Sequence, residues 1–166
     1  MTETEPSDRG ETARSARPED IEQLVSIAVD HARSIVDERG ADLMLRRELA
    51  YTAEELDSLL SEAMDDDGSD LVAGLYHGVP FGYGLVRYEK LSDGSSLARL
   101  DQLLVDPDAR KVGVGEAIMN LVLDLARDRG CFGVDSRALP GDRETKNFFE
   151  SFGLKARQLI VHLTLD

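Results

Sequence analysis

The stretch LLVDPDARKVGVGE at residues 103–116 constrains the fold more than any other part of this chain. The run that ends at Val105 is apolar and β-prone, and Pro107 then forces a turn because proline cannot donate to a β-ladder. Beyond the turn, apolar residues recur at helical spacing. The chain must therefore contain a strand that turns directly into a helix.

That junction has the composition of an anion-binding turn. Gly113 and Gly115 leave backbone N–H groups unobstructed, and the helix N-terminus adds partial positive charge. Arg110 and Lys111 come just before them, so two fixed cations join the N–H donors. The turn predicts a phosphate or pyrophosphate site, with a merely structural glycine turn as the alternative. It matches neither the dinucleotide fingerprint nor the Walker loop.

The remaining pattern predicts an α/β (α+β) fold, in which helices flank a central mixed sheet. Hydrophobic periodicity, the capping-box pair Thr52 and Glu55, and turn residues define the elements. Helices are predicted at 18–39, 52–64, 113–130 and 143–153, and strands at 71–77, 80–91, 96–105, 131–139 and 157–165. The segment ADLMLRRELAY between the first two helices is ambiguous.

With 166 residues, the chain has the size of one domain. Residues 1–16 are polar and acidic and predict a disordered tail ahead of a single domain at 17–166. The lone cysteine, Cys131, excludes an intramolecular disulfide and a cysteine-based zinc site, and no metal is expected. Neither a secretory signal nor a membrane-spanning run is evident, so we expect a cytoplasmic protein.

The net charge of −14 is concentrated in the first part of the chain. Residues 1–70 contain 20 acidic and 7 basic residues, whereas residues 71–166 contain 13 and 12. An acidic surface repels phosphate backbones, which argues against nucleic acid as a partner and favours a cationic molecule or protein segment. The alternative is that the acidity only keeps the protein soluble.

The junction residues resemble the acetyl-coenzyme A signature of the GNAT-family N-acetyltransferases: Arg or Gln, two residues, Gly, one residue, then Gly or Ala. Arg110, Gly113 and Gly115 match this signature. The later segment FFESFGL is similar to a second family motif, and the resemblance spans about residues 17–165. It implies a splayed sheet whose strands at 96–105 and 131–137 separate to admit acetyl-coenzyme A.

The resemblance also implies which residues bind this co-substrate. Backbone groups of 103–105 would bind the pantetheine arm, and 110–116 the pyrophosphate. The cofactor-binding residues expected are Leu103, Leu104, Val105, Arg110, Lys111, Val112, Gly113, Val114, Gly115, Glu116, Asn147 and Phe149. Asn147 or Asp142 stands nearest to an asparagine that often contacts the cofactor, although Asp142 could be only a helix cap.

The expected reaction is direct acetyl transfer to a neutral amine, which needs a base for the ammonium and a proton for the departing thiolate. Many family members use a tyrosine as that acid, but Phe149 stands at its position and has no proton to give. Ser136, Tyr83 or water are the alternatives.

Asp135 is the first choice for the base and Asp101 the second, because a carboxylate among apolar strand residues can accept a proton near neutral pH. Either could instead simply face solvent. The helical His31 and the strand residue His162 are interpreted as structural.

Two functions are carried forward. The first is acetyl transfer to a cationic amine: a polyamine, an aminoglycoside-like compound, or a lysine or N-terminal amine of a protein. The second is a coenzyme A-binding module with little catalysis, and a purely structural role is a weaker third. The final strand could also pair across a homodimer.

Overall fold

The structure, a computed structural model, describes residues 10–47 and 52–165. Their strands and helices follow an order close to the predicted one. The elements are β1 (Glu11–Ser15), α1 (Ile21–Ser34), α2 (Ala41–Arg47), α3 (Ala53–Asp65), β2 (Ser69–Tyr76), β3 (Val79–Lys90), β4 (Ser96–Val105), α4 (Val114–Asp128), β5 (Gly133–Ser136) and α5 (Arg143–Ser151).

Within the described residues the strands form one sheet in the order β1, β2, β3, β4, β5. Strands β1 to β4 pair antiparallel, whereas β4 and β5 pair parallel. The chain crosses from β4 to β5 through α4, because a parallel pair needs a long connection. The predicted mixed sheet flanked by helices is confirmed.

Local helix and turn signals are also confirmed. Glu55 N donates to Thr52 Oγ1 at 3.1 Å, and Thr52 N donates back to Glu55 Oε2 at 3.2 Å, which completes the capping box of α3. The β2–β3 hairpin turns through Gly78, whose φ of +81° suits glycine. The ambiguous segment begins with α2, and its last residues, 48–51, lie outside the described part.

Helices cover both faces of the sheet. Helix α4 packs closely on one face because Gly74 and Gly84 carry no side chain there: a Cβ on them would lie 2.6 and 2.8 Å from Ile118. Helices α1 and α3 cover the other face. That second core includes Leu24, Ala28, Leu56, Leu60, Tyr83, Leu85 and Leu104.

A β-bulge in β4 reverses which face its side chains occupy. The pairing with β3 passes directly from Leu100 to Gln102, so Asp101 is an extra residue. Leu100 is therefore buried against α4, whereas Leu104 is buried with α1 and α3. The alternation of apolar and polar residues does not predict this reversal, because one extra residue moves every later side chain to the opposite face of the sheet.

Strand β4 loses its second neighbour at this bulge. Its pairing with β5 runs from Leu97 and Gly133 to Leu100 and Ser136, where Ser136 Oγ donates to Leu100 O at 3.0 Å. After Ser136 the chain leaves the sheet. No strand in the described part pairs with residues 101–105 on that side, so the sheet splays as predicted.

The predicted disordered segment 1–16 is wrong for residues 11–15. Residues 11–15, expected within the disordered segment 1–16, form β1 and pair with β2. Ala13 is buried, and Arg14 donates to both Asp20 oxygens at 2.6 and 3.0 Å, which ties β1 to the start of α1. A short edge strand with one buried alanine needs few apolar residues, so the polar composition of this segment did not indicate a strand. Residues 1–9 lie outside the described part.

The predicted closing strand at 157–165 is not formed. Residues 154–165 have no regular secondary structure, and residues 155–165 are exposed. The composition of this segment favours a strand, but a strand forms only when its backbone groups pair with another strand.

Candidate active site

The gap beside β4 continues into a cleft, called here the β4–β5 cleft. Elements from both halves of the chain form its walls: the end of α1, α2, the second half of β4, the segment after β5, and α5. The lining residues are His31, Ile35, Met44, Asp101, Gln102, Leu103, Leu104, Ser136, Arg137, Ala138, Leu139, Asp142, Thr145 and Phe149.

One wall of the cleft is a free backbone edge. Asp106 N donates to Phe81 O at 2.7 Å, so the backbone of residue 106 faces β3. Successive residues of a strand direct their backbone groups to opposite sides, so Leu104 also faces β3, whereas Leu103 and Val105 face the cleft. Strand β4 can therefore pair with an extended, amide-containing ligand through two of the three predicted residues.

The first turn of α4 lies at the end of this edge. Gly113 is its N-cap residue, with a φ of +87° that other residues adopt only with strain. Gly115 is buried, and a Cβ there would lie 3.4 Å from the Phe148 ring. Val114 is buried and Glu116 is exposed. The turn thus exposes peptide groups rather than bulky side chains where partial positive charge collects.

Two cationic residues stand beside this turn. Arg110 Nε donates to Val105 O at 3.4 Å, on the cleft side of β4, and its Nη1 lies 3.8 Å from Glu144 Oε2. Lys111 is exposed and Val112 is half-buried. The backbone edge, the helix N-terminus and the two cations together fit an extended ligand that ends in a diphosphate.

Asp101 lies in the cleft among arginines. Its oxygens are 3.1 Å from Arg99, 3.2 Å from Arg87 and 3.5 Å from Arg137, and its side chain is 11% exposed. Both of its oxygens therefore contact guanidinium groups, which tie Asp101 to β3, to β4 and to the segment after β5. Asp101 is better suited to holding the cleft wall than to acting as a base.

Asp135, the first choice for the base, lies on β5 opposite Arg99. It is exposed and does not belong to the cleft lining, whereas its neighbour Ser136 does. Successive strand residues point to opposite faces, which explains the difference. The geometry therefore separates Asp135 from the place where the sequence expected it.

His31 is the titratable cleft residue that sequence reasoning interpreted as structural. It follows Leu24 and Ala28 on the stripe of α1 that faces the sheet, and it lines the cleft. Burial first, and then the positive charge of Arg110, lower the pKa of His31, while Asp142 opposes this effect. A histidine that interrupts an apolar stripe was the signal available in the sequence.

Ser136, Tyr83 and water are the predicted proton donors, because Phe149 occupies the position of the usual tyrosine. Phe149 lines the cleft without a polar atom, and Tyr83 is fully buried with its hydroxyl bonded to Gln102 Oε1. Burial raises the pKa of Tyr83 far above its ordinary value. Ser136 lines the cleft, and its hydroxyl donates to Leu100 O at 3.0 Å.

The two candidates for the cofactor-contacting asparagine have different settings. Asp142 lines the cleft but also caps α5, because its carboxylate accepts from Thr145 N at 3.0 Å and Thr145 Oγ1 at 2.6 Å. Asp142 therefore caps α5 and also lines the cleft. Asn147 is exposed on α5.

The acidic first part of the chain does not supply carboxylates to the cleft lining in the described residues. Its contributions there are His31, Ile35 and Met44, and the lining carboxylates, Asp101 and Asp142, come from the second part. Any attraction of a cationic acceptor by the acidic part must therefore act at a distance.

Within residues 10–47 and 52–165, no helix is both long and apolar enough to cross a membrane. No cluster of three or more His, Cys, Asp or Glu side chains in the same residues is arranged to hold a metal ion.

Comparisons with known proteins agree with this architecture. A sequence model described as "Acetyltransferase (GNAT) family" matches residues 24–154. A glucosamine 6-phosphate N-acetyltransferase of Trypanosoma brucei brucei is 26% identical over 72 residues, which cover 43% of this chain and 47% of that protein. The match thus spans about half the length of this curated relative.

Solved structures share the fold at low sequence identity. A glucosamine-6-phosphate N-acetyltransferase from Arabidopsis thaliana superimposes with a TM-score of 0.67 at 18% identity, covering 94% of this chain and 99% of that one. A protein titled a transcriptional regulator, from Bacillus halodurans, gives a TM-score of 0.71 at 19% identity, covering 93% and 99%. At these identities the likeness shows the fold alone.

Proposed function

We propose that this chain, which belongs to the GNAT acetyltransferase family, is an acyltransferase that moves an acetyl group directly from acetyl-coenzyme A to a primary amine bound in the β4–β5 cleft. One observation carries the proposal: the free edge of β4 ends beside the first turn of α4, where a Cβ on Gly115 would lie 3.6 Å from Val105 Cγ2. The family uses acetyl-coenzyme A as its co-substrate.

We assign the two ends of this path to two parts of that co-substrate. The cleft-facing backbone groups of Leu103 and Val105 hold the amides of the pantetheine arm, as an added strand would. Residues 110–116 hold the diphosphate through peptide N–H groups and two cations. The side chains of Leu104 and Phe149 give the cleft an apolar lining.

Acetyl-coenzyme A supplies the acetyl group as a thioester, which a neutral amine attacks. His31 is the group we assign to removing the proton from the acceptor ammonium, through an imidazole nitrogen. Because its pKa is lowered, the neutral, proton-accepting form prevails at pH 7. Asp101 and Arg137 also line the cleft, and their contact at 3.5 Å ties β4 to the segment after β5.

Phe149 has no proton for the departing thiolate, and the one hydroxyl proton of Ser136 is donated to Leu100 O, so water supplies the proton in this step. Ser136 Oγ donates to Leu100 O, which holds the hydroxyl at the branch point between β4 and β5. The absence of a hydroxyl at position 149 is also what favours the second candidate function, a module that binds coenzyme A without efficient catalysis.

The acceptor that we propose is a cationic primary amine, drawn toward the cleft by the acidic first part of the chain. Polyamines, aminoglycoside-like compounds, and lysine or N-terminal amines of proteins belong to this class. Glucosamine 6-phosphate joins the test panel because two similar proteins carry that substrate in their names.

The experiment is a thiol-release assay with acetyl-coenzyme A and each amine of this panel. We expect release that requires an amine and that disappears in the Arg110→Ala, Gly113→Val double variant. Binding of acetyl-coenzyme A without release from any amine would instead establish the binding module. Failure of the wild type to bind acetyl-coenzyme A would overturn both functions.

A further inference from the structure

The β4–β5 cleft has an apolar corner next to His31. Ile35 follows His31 by four residues, which is the spacing of neighbours on one side of a helix, and both residues line the cleft. Met44 of α2 and Leu139 of the segment after β5 also line the cleft, and both pack against the cluster that contains Ile35. We call Ile35, Met44 and Leu139 the apolar corner.

The apolar corner is the cleft side of a small separate core. Ala32, Ala41 and Leu45 are buried in that core. Met44 and Leu139 are only half-buried, and part of their surface lines the cleft. Binding sites for small molecules are mostly apolar with a few placed polar groups, and a ligand that covers apolar surface gains free energy. The corner therefore favours an apolar part of a ligand.

Two walls of the cleft meet at this corner. A Cβ on Gly40, which lies between α1 and α2, would be 3.6 Å from Pro140 Cδ and 3.8 Å from Leu139 Cδ2. The start of α2 therefore lies against the segment after β5. Because the walls meet here, the corner accommodates the end of a small ligand rather than a polypeptide that passes through the cleft.

The charges in the cleft suit one ammonium group rather than several. Asp142 lines the cleft with His31, and its carboxylate is close enough to oppose the lowering of the pKa of His31. A second lining carboxylate, Asp101, lies 3.1, 3.2 and 3.5 Å from three guanidinium groups. An ammonium near Asp101 would also approach those positive charges, which repel it. A single ammonium beside His31 and Asp142 therefore suits the cleft better than a polyamine does.

We propose that the acceptor is a small primary amine with one positive charge and an apolar body, which packs in the apolar corner while the nitrogen lies at His31. This inference rests on the proposed acetyl transfer and narrows its acceptor to alkyl or aryl amines. The ammonium loses two protons, one to His31 and one, through water, to the sulfur, as the C–N bond forms and the thioester C–S bond breaks. Polyamines and amino sugars are poorer acceptors, because their additional polar groups lose hydration in the corner.

The first test compares amines that differ only in apolar length or in a second charge. In the thiol-release assay, kcat/KM should rise about threefold for each methylene between propylamine and hexylamine, because each one leaves water in the corner. Hexamethylenediamine, which has the carbon chain of hexylamine and a second ammonium, should be at least about tenfold poorer than hexylamine. Equal values for all the alkylamines, or a preference for the diamine, would overturn the inference but leave acetyl transfer standing.

The second test assigns this preference to the apolar corner. Met44→Ser and, separately, Leu139→Ser should reduce the ratio of kcat/KM between hexylamine and propylamine about fivefold, mainly through a higher KM for hexylamine. Leu43→Ser is the matched control, since Leu43 is the half-buried neighbour of Met44 on α2 and does not line the cleft. It should keep the ratio of the wild type. An unchanged ratio in both corner variants, or an equal loss in Leu43→Ser, would contradict the assignment.

The third test measures the apolar corner without catalysis. Each alkylamine is titrated calorimetrically into the wild-type protein saturated with coenzyme A. Hexylamine should bind at least about tenfold more tightly than propylamine. This result, combined with no thiol release from any amine, would overturn the proposed acetyl transfer and still support the corner as a binding site. Equal binding of the two amines, or binding of neither, would overturn the inference.

Discussion

The two halves of β4 differ in their neighbours, although they belong to one strand. Residues 97–100 pair with β3 on one side and β5 on the other, whereas residues 102–105 pair with β3 alone. Asp101, the bulged residue, marks the boundary. The first half is therefore an ordinary interior strand, and the second half is an open edge inside the protein.

This difference shows that the cleft is made by ending a pairing rather than by adding special side chains. The groups that the second half offers to a ligand are peptide N–H and C=O groups at Leu103 and Val105. Its side chains serve the packing, with Leu104 in the core under α1 and α3. Changes to the backbone should therefore affect the two sides of this half-strand differently.

The largest expected effect comes from proline at two adjacent positions. Leu104→Pro removes an N–H that faces β3 and a buried leucine, whose loss alone costs about 2–5 kcal/mol of the free energy of unfolding. Leu103→Pro removes an N–H that faces the cleft, so the protein should fold but bind acetyl-coenzyme A about tenfold more weakly. Thermal melts and calorimetric titration measure the two effects. Equal unfolding by both variants would contradict the difference between the two sides.

His31→Gln is expected to have the next largest effect, a fall in kcat/KM on the order of 100-fold with little change in acetyl-coenzyme A binding. Neutral His31 accepts the proton, and its pKa is lowered, so wild-type activity should persist below pH 6.5 and fall only at more acidic pH. This fall in kcat/KM at acidic pH should be absent from the His31→Gln variant.

Asp135→Asn is the matched control, since it tests the base that the sequence favoured. Asp135 is exposed and outside the cleft lining. We expect kcat/KM to change by less than about threefold. A large loss in this variant, with His31→Gln unaffected, would return the role of base to Asp135.

The same lowered pKa affects stability. The unfolded chain takes up a proton on His31 near pH 6.5, whereas the folded chain resists it until a lower pH. The free energy of unfolding should therefore fall as pH drops below 6.5. His31→Gln should reduce this decrease, as denaturant titrations at pH 7.5 and 5.5 would show.

Gly113→Ala should weaken acetyl-coenzyme A binding about tenfold, because the positive φ strains any L side chain and distorts the first turn of α4. Its Cβ would also lie 3.1 Å from Glu11 Cγ. Gly94→Ala is the control, since Gly94 has a similar φ of +84° and nothing within 4 Å. Both variants should lose about 1–2 kcal/mol of stability, but Gly94→Ala should bind normally.

Ser136→Ala should have the smallest effect. It removes the bond to Leu100 O at the point where β5 leaves β4, and should cost about 1 kcal/mol of stability. Ser151→Ala, which removes an exposed bond within α5, is the control. Faster hydrogen exchange along β5 in the first variant alone would support the branch-point role. Identical exchange in both variants would contradict it.

The sequence predicted correctly those features that depend only on residues close together in the chain. The turn at Gly113, the capping box at Thr52 and the periodicity of α4 depend on neighbours within a few residues. The mixed sheet followed from the order of these elements. The resemblance of Arg110, Gly113 and Gly115 to a family signature then led to the family, which the match over residues 24–154 shows.

Non-local features escaped the sequence. The bulge at Asp101 inserts one residue into a regular alternation, and only pairing with β3 reveals it. Asp135 was predicted to face the cleft, but its neighbour Ser136 does so instead. Which of two successive strand residues faces a given side depends on the pairing register, which the sequence does not show. His31 enters the cleft because α1 crosses the splayed sheet there. Residues 157–165 have a strand pattern, but they lie outside the sheet of the described part, and the order of elements does not specify a partner for them.

The most direct test of the open half-strand is residue-resolved amide hydrogen exchange at Leu103, Leu104 and Val105, with and without acetyl-coenzyme A. The amide of Leu104 faces β3 and should exchange slowly in both states. Those of Leu103 and Val105 face the cleft and should slow markedly when the ligand binds. Saturating binding that leaves Leu103 and Val105 unchanged would contradict the account.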